Sequence, residues 1–228
     1  VTGFTIERLG EEALLLRLGE RIDDDTNRRV HALAAVIDAR RPPWLCDIVP
    51  AYASLALFVD DDRSDPDDDP LQHAERWLQA QDLAAAGDRD PGHQPPLEIP
   101  VRYGGEHGPD LEAVAAHADI TAEEVIALHT AGDYRVAMLG FAPGFPYLLG
   151  LDPRLAMPRM DTPRARIPAG SVAIGGAQTG IYPRESPGGW RILGRTPLVL
   201  FDPARPAPAL LEPGRRVRFV AATDDEAA

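Results

Sequence analysis

Lysine is absent from this chain: all 23 of its Lys+Arg positions, among 228 residues, are arginine. That excludes a Schiff-base lysine and the phosphate-binding lysine of a Walker loop, so chemistry on phosphate needs arginine, backbone donors or a second polypeptide. A source that favours Arg and Asp codons is the plain compositional account. Cysteine is almost absent too. Cys46 stands alone, so no intrachain disulfide forms and a reducing cytoplasm is the expected compartment. Within the apolar text LCDIVP it reads as a buried structural thiol. Long apolar runs are missing: LLLRL is too short to cross a bilayer, and the first residues lack a basic region and a cleavage site. Positive charge is scarce overall, with 23 Lys+Arg against 36 Asp+Glu for a net −13, which repels nucleic acid and anionic membrane surfaces.

What is present, 44% hydrophobic residues, suffices for one large or two small domains. FTIERLG and ALLLRLG read as two strands joined through Gly10. Asp25 is placed to cap a helix whose Val30, Leu33, Ala34 and Ile37 share a face, and Pro42 with Pro43 must end it. CDIVPAYASLALFVD has the β-branched and aromatic content of one or two strands, with Pro50 at an entry, edge or bulge. The acidic stretch from Asp60 to Asp69 lacks the glycine and closing glutamate of a calcium loop and reads as solvated. Asp69 and Pro70 then start a second helix carrying Leu71, Ala74 and Leu78. From 83 to 96 the text loses apolar periodicity and gains Gly, Pro and charge, as an exposed linker does. The expected division is an α+β domain of ferredoxin-like plan at 1–82, that linker, and a second domain at 97–228.

The second domain opens with the strand LEIPVRYGG. Asp110 is placed to cap a short helix, and Thr121 with Glu124 forms a capping box for another that carries Val125, Leu128 and His129. Gly132 is expected to close it in a left-handed turn. Beyond Tyr134, glycines break up short apolar runs such as YRVAMLGF, SVAIGG and TPLVLF, and RRVRFVAA alternates; short strands so spaced favour an antiparallel barrel or sandwich.

Two segments carry unusual chemistry. GFAPGFPYLLGL places Gly140, Phe141, Pro143, Gly144 and Phe145 in one loop, which reads either as a structural turn with core aromatics or as backbone donors and ring faces around a small planar ligand. Residues 158–197 combine prolines and glycines with Arg164, Ser171, Gln178, Tyr182 and Trp190. Arginine forks beside such backbone suit a carboxylate or phosphate, and the alternative is barrel loops whose arginines face water. His129 lies near its helix C-terminus, where the dipole favours imidazolium and capping is common. The histidines show no ligand spacing, so no metal site is expected, and Ser171 and Ser186 lack a nucleophile-elbow context.

YGGEHGPDLEAVA, EEVIALHTAGDYRVAMLGFAPGFPYLLGL and PRARIPAGSVAIGGAQTGIYPRESPGGWRILGRTPL, in that order, resemble successive signatures of the family that holds the B component of bacterial 5-oxoprolinase and allophanate hydrolase subunit 1. VPAYASL resembles its short proline-tyrosine-serine signature. The resemblance implies a mainly-β, cyclophilin-like barrel after the N-terminal α+β domain, without prolyl isomerase activity. It implies a cytoplasmic complex that uses ATP with Mg2+ to activate 5-oxoproline for opening to glutamate. The direct partner is then the larger C component of 5-oxoprolinase, similar to allophanate hydrolase subunit 2; a separate A component completes the opening, and this chain is inactive alone. Alternatives within the family are an inhibitor that binds a sensor histidine kinase and a subunit resembling urea carboxylase. Carried over by motif, His129, Asp110 and Tyr103 are the expected catalytic set, and the loop from Gly140 to Phe145 with Arg164, Ser171, Gln178, Tyr182 and Trp190 the expected substrate- and nucleotide-binding set. In that scheme Arg164 and glycine-flanked backbone meet developing charge and His129 manages the proton. The loops are expected to fold beside His129 as half of a small-molecule cleft.

Overall fold

The computed structural model describes residues 3–60, 69–81, 83 and 95–222. The acidic stretch at 61–68 and most of the 83–96 linker lie outside the described residues. The chain divides into two compact units, Val1–His93 and Gln94–Ala228.

The first unit contains β1 (Thr5–Leu9), β2 (Ala13–Arg17), α1 (Asp24–Ala39), β3 (Leu45–Pro50), β4 (Ser54–Val59) and α2 (Pro70–Ala80). Its four strands pair antiparallel in the order β1-β2-β4-β3. That order is the ferredoxin-like βαββαβ unit begun at its second strand, so the expected plan is present in permuted form. Val30, Leu33 and Ile37 of α1 and Leu71, Ala74 and Leu78 of α2 are buried in one cluster with Leu14, Leu16, Leu55 and Leu57 of the sheet. Asp69 caps α2 by accepting from the N–H groups of Leu71 and Gln72. The cap of α1 is Asp23, not Asp25: Asp23 has the extended backbone a cap requires, and its carboxylate accepts from Thr26 N–H at 2.8 Å, while Asp25 lies in the first turn. Asn27 reaches from α1 to the carbonyls of Ala51 and Tyr52, tying down the VPAYASL turn. Cys46 is exposed rather than buried. The register of the edge strand β3 slips between Leu45 and Asp47, so Cys46 is the extra residue of a bulge, with its thiol donating to the Phe58 carbonyl.

The second unit contains β5 (Leu97–Tyr103), α3 (Leu111–Ala118), α4 (Ala122–Ala131), β6 (Tyr134–Leu139), β7 (Pro146–Leu149), β8 (Arg164–Ile167), β9 (Ser171–Gly175), β10 (Gln178–Ile181), β11 (Ser186–Gly188), β12 (Arg191–Arg195) and β13 (Arg216–Ala221). Seven strands close a barrel in the order β10-β7-β6-β13-β5-β12-β9, the cyclophilin-like barrel expected, and β8 pairs with β11 as a separate ribbon. Closure leaves no free sheet edge in the barrel. One pair departs from the antiparallel expectation: β13 runs parallel to β5, the last strand beside the first. The Thr121–Glu124 capping box starts α4 as expected. Gly132 ends it with φ −64, not left-handed. Glycine is required there for space, because a Cβ would lie 2.6 Å from the Tyr134 ring. Among the described residues no helix is long and apolar enough to cross a membrane.

Candidate functional site

His129 projects from α4 into the barrel interior and is fully buried. Its tautomer follows from its neighbours. The Thr179 hydroxyl donates to the Ala173 carbonyl at 3.0 Å, so it accepts from His129 Nε2–H at 3.1 Å, and Nδ1 accepts from the Tyr103 hydroxyl at 2.7 Å. Burial pushes the imidazole down to about 3 and raises the Tyr103 hydroxyl well above its ordinary value. The Phe219 ring packs at 4.5 Å between centroids. His129 is therefore a neutral core group with both nitrogens satisfied by protein, not the imidazolium expected at a helix end; desolvation outweighs the helix dipole.

Asp110 occupies the cap position of α3 but makes no capping hydrogen bond. Its buried carboxylate instead accepts both arms of the Arg164 guanidinium at 2.7 and 2.8 Å and the Ile192 N–H at 2.7 Å. A buried charge gains more from a forked cationic partner than from neutral backbone donors, so the ion pair wins over the cap. The result binds the start of α3 to β8 and β12, and it neutralises Arg164.

The loop between β6 and β7 closes on itself: Gly140 N–H donates to the Phe145 carbonyl at 3.1 Å and Phe145 N–H to the Ala142 carbonyl at 3.0 Å. Phe141 sits in this loop at φ +65 with its side chain largely exposed. A left-handed phenylalanine costs about 1–3 kcal/mol and persists only where surrounding structure imposes it, a pattern that concentrates at binding sites. Phe145 is the hub behind it, with ring centroids of Tyr147 at 4.9 Å, Tyr182 at 5.2 Å and Trp190 at 5.7 Å. Together these rings line a cleft of about 290 Å³, completed by Arg159, Met160, Pro163 and the Pro187–Gly189 turn. Tyr182 and Trp190 fit because glycine lies against each: a Cβ on Gly188 would come within 2.4 Å of the Tyr182 hydroxyl, and one on Gly175 within 2.7 Å of the Trp190 ring. Arg159 lies over the Trp190 face, 5.5 Å from its centroid, and makes no ion pair among the described residues. The cleft is thus apolar and aromatic with one cation whose charge is unmatched.

Of the residues expected from sequence, Phe141, Phe145, Tyr182 and Trp190 meet at this cleft, and Gly140, Pro143 and Gly144 shape its loop. Arg164 stands behind it, committed to Asp110. His129 and Tyr103 are not among its lining residues, because they serve the barrel core; Ser171 and Gln178 are the first residues of β9 and β10 and do not line it either. Sequence reasoning missed Arg159, whose only signal was its place two residues after Met157 in a proline-bounded segment without regular structure.

The family description "Carboxyltransferase domain, subdomain C and D" matches residues 4–211. The protein named as the B component of 5-oxoprolinase in Bacillus subtilis (strain 168) is 45% identical over 95% of this chain and 92% of its own length. The one so named in Escherichia coli O157:H7 is 40% identical over 93% of each. The crystal structure of TTHA0988 is 42% identical with a TM-score of 0.79; it covers 94% of this chain, which spans 40% of that chain's length.

Proposed function

This chain belongs to the carboxyltransferase domain family, subdomains C and D, and from that premise we propose that it is the B component of a cytoplasmic, ATP-dependent 5-oxoprolinase. The observation that carries the reading is the aromatic cleft with its single unmatched cation, Arg159. 5-Oxoproline is a small, nearly planar lactam bearing one carboxylate. Its ring matches the faces of Phe145, Tyr147 and Trp190, and its carboxylate matches the Arg159 guanidinium in a site where aromatic walls strengthen the attraction. The Tyr182 hydroxyl, held protonated by burial, is a donor on the same wall.

Activation consists of attack by the lactam oxygen on the γ-phosphorus of ATP; the bond from that phosphorus to the β-bridging oxygen breaks, ADP leaves, and the O-phosphorylated ring is open to water. Among the described residues there is no group of three or more His, Cys, Asp or Glu placed to hold a metal. In this reading Mg2+ arrives on the nucleotide, and the exposed Phe141 side chain supports the open side of the cleft as the surface that meets the C component. The A component completes the opening to glutamate.

The test is ADP release, dependent on 5-oxoproline, by the complex reconstituted with the A and C components. Arg159→Gln is expected to raise KM for 5-oxoproline about tenfold or more, the loss of one charge-assisted contact. Turnover of 2-pyrrolidinone, which lacks the carboxylate, is expected to be unaffected by that change. A fully assembled complex without 5-oxoproline-dependent turnover would refute the substrate.

A further inference from the structure

The aromatic cleft holds a second directed polar group besides Arg159. We propose that the Tyr182 hydroxyl and the Arg159 guanidinium form a two-point clamp for the carboxylate of a small planar ring, and that Tyr182 sets the preference for a carboxylate over its amide. The clamp rests on the assignment of Arg159 to a carboxylate made above, and it widens the ligand from one lactam to the class of small cyclic monocarboxylates.

Tyr182 is only 2% exposed and nonetheless lines the cleft. Its hydroxyl oxygen accepts from the Trp190 N–H, and a Cβ on Gly188, another lining residue, would come within 2.4 Å of that oxygen. The oxygen is thus fixed at the Pro187–Gly189 turn with a donor already on it, while its own proton has no acceptor among the described residues. A buried donor left without a partner is costly, and an acceptor atom on a ligand removes that cost. Burial raises this hydroxyl above its ordinary value, so at neutral pH it keeps the proton it has to donate. Arg159 and Arg164 both act on it electrostatically; Arg164 is already paired with Asp110, which leaves Arg159 as the charge to be met beside it.

Arg159 is held in place by its neighbours in sequence. Met157 exchanges backbone hydrogen bonds with Gly176 at 2.8 and 3.2 Å, the Pro158 carbonyl accepts from Arg191 Nε–H at 3.3 Å, and Met160 N–H donates to the Gly189 carbonyl at 2.7 Å. The chain is therefore anchored on both sides of Arg159 although it has no regular structure there, and the guanidinium rests on the Trp190 face. A site built in advance spares its ligand the cost of ordering it.

Size and charge decide the class of ligand. A cleft of about 290 Å³ stands at the lower limit for small-molecule sites, which suits a five- or six-membered ring. Among the described residues Arg159 is the only charged side chain that lines it, so a single negative charge balances the site. A carboxylate presents two acceptor oxygens, one for each donor, whereas a carboxamide presents one and turns its NH2 group toward the other donor. In 5-oxoproline the ring nitrogen separates the carbon that bears the carboxylate from the lactam carbonyl. A carboxylate pinned by Arg159 and Tyr182 therefore turns the lactam oxygen away from both donors and leaves its lone pairs free to react.

Pyrrole-2-carboxylate, a planar ring acid without a lactam oxygen, and pyrrole-2-carboxamide test the clamp by calorimetric titration of the purified full chain. The acid is expected to bind one to one and about tenfold or more tightly than the amide. Tyr182→Phe keeps the ring beside Phe145 and is expected to weaken the acid about tenfold while leaving the amide within about twofold, because the amide then faces no second donor. A mere loss of packing would weaken both ligands alike. Arg159→Gln is expected to weaken the acid about tenfold as well. Absence of saturable acid binding by the folded chain overturns the clamp, as does equal affinity for acid and amide, or a Tyr182→Phe change that weakens the two by the same factor. Acid binding that follows these variants in an assembled complex inactive on 5-oxoproline upholds the clamp and rejects the substrate. Turnover of 5-oxoproline with a KM indifferent to Tyr182→Phe keeps the substrate and rejects the clamp.

Discussion

The two units bury different chemistry. The interior of the first is mainly aliphatic, built on Leu14, Leu16, Leu55 and Leu57 against α1 and α2, with Asn27 and His31 its buried polar residues among those described, and its ion pairs, such as Arg17–Glu7 and Arg8–Asp69, lie on the surface. The barrel unit buries, among its described residues, a histidine, a carboxylate, a serine and two threonines, and His129, Asp110 and Thr179 each have a directed partner. Aliphatic packing is non-directional and tolerates exchange at constant volume, whereas buried polar groups tolerate neither loss nor rotation of their partners. The side chains that could recognise a ligand are accordingly held in the second unit, where directed contacts fix their positions.

That contrast can be broken most strongly at Arg164. Arg164→Met strips a buried carboxylate of its cation and is expected to destabilise the barrel unit by about 3–5 kcal/mol, while Asp110→Leu in the same chain recovers most of the loss. Urea unfolding followed by the fluorescence of Trp190, in a chain whose Trp44 and Trp77 are replaced by Phe, reports the barrel unit alone. A single variant as stable as the parent would mean that the ion pair holds nothing.

The next effect depends on pH. Below 6.5 the unfolded chain protonates His129, while the folded barrel resists until about pH 3. The unfolded state therefore binds more protons within that window, so stability falls as pH drops through it and is complete above it. Between pH 6.5 and 5 the parent is expected to lose about 2 kcal/mol that a His129→Gln variant does not lose. Parallel pH profiles for the two chains would contradict a neutral buried imidazole. The smallest effect belongs to the first unit: Leu57→Met, which keeps volume in an aliphatic core, is expected to cost less than about 1.5 kcal/mol in unfolding followed by Trp44 and Trp77.

The sequence was most legible where structure is decided locally. The Asp69–Pro70 start of α2 and the Thr121–Glu124 box depend on residues no more than three positions apart, and both form as read. Asp110 defeats the same local reading because its partner lies 54 residues away, and a cap and a buried carboxylate look alike until Arg164 is brought beside it. His129 likewise reads as a helix-end cation until Tyr103 and Thr179, from two different strands, enclose it. The ring-bearing glycine loops could be read as a group because their residues meet through close packing that only glycine permits. Arg159 could not, since its role comes from lying over Trp190 rather than from any spacing.

The parallel pairing of β5 with β13 sets the order in which the barrel can be finished during synthesis. β5 leaves the ribosome more than a hundred residues before its neighbour β13, and until Arg216–Ala221 emerges one flank of β5 presents bare amides and carbonyls. Such a flank invites pairing with another nascent chain. A stop codon just upstream of Arg216 would therefore be expected to yield insoluble protein rather than a slightly shortened folded chain, although every residue of the aromatic cleft would already have been made.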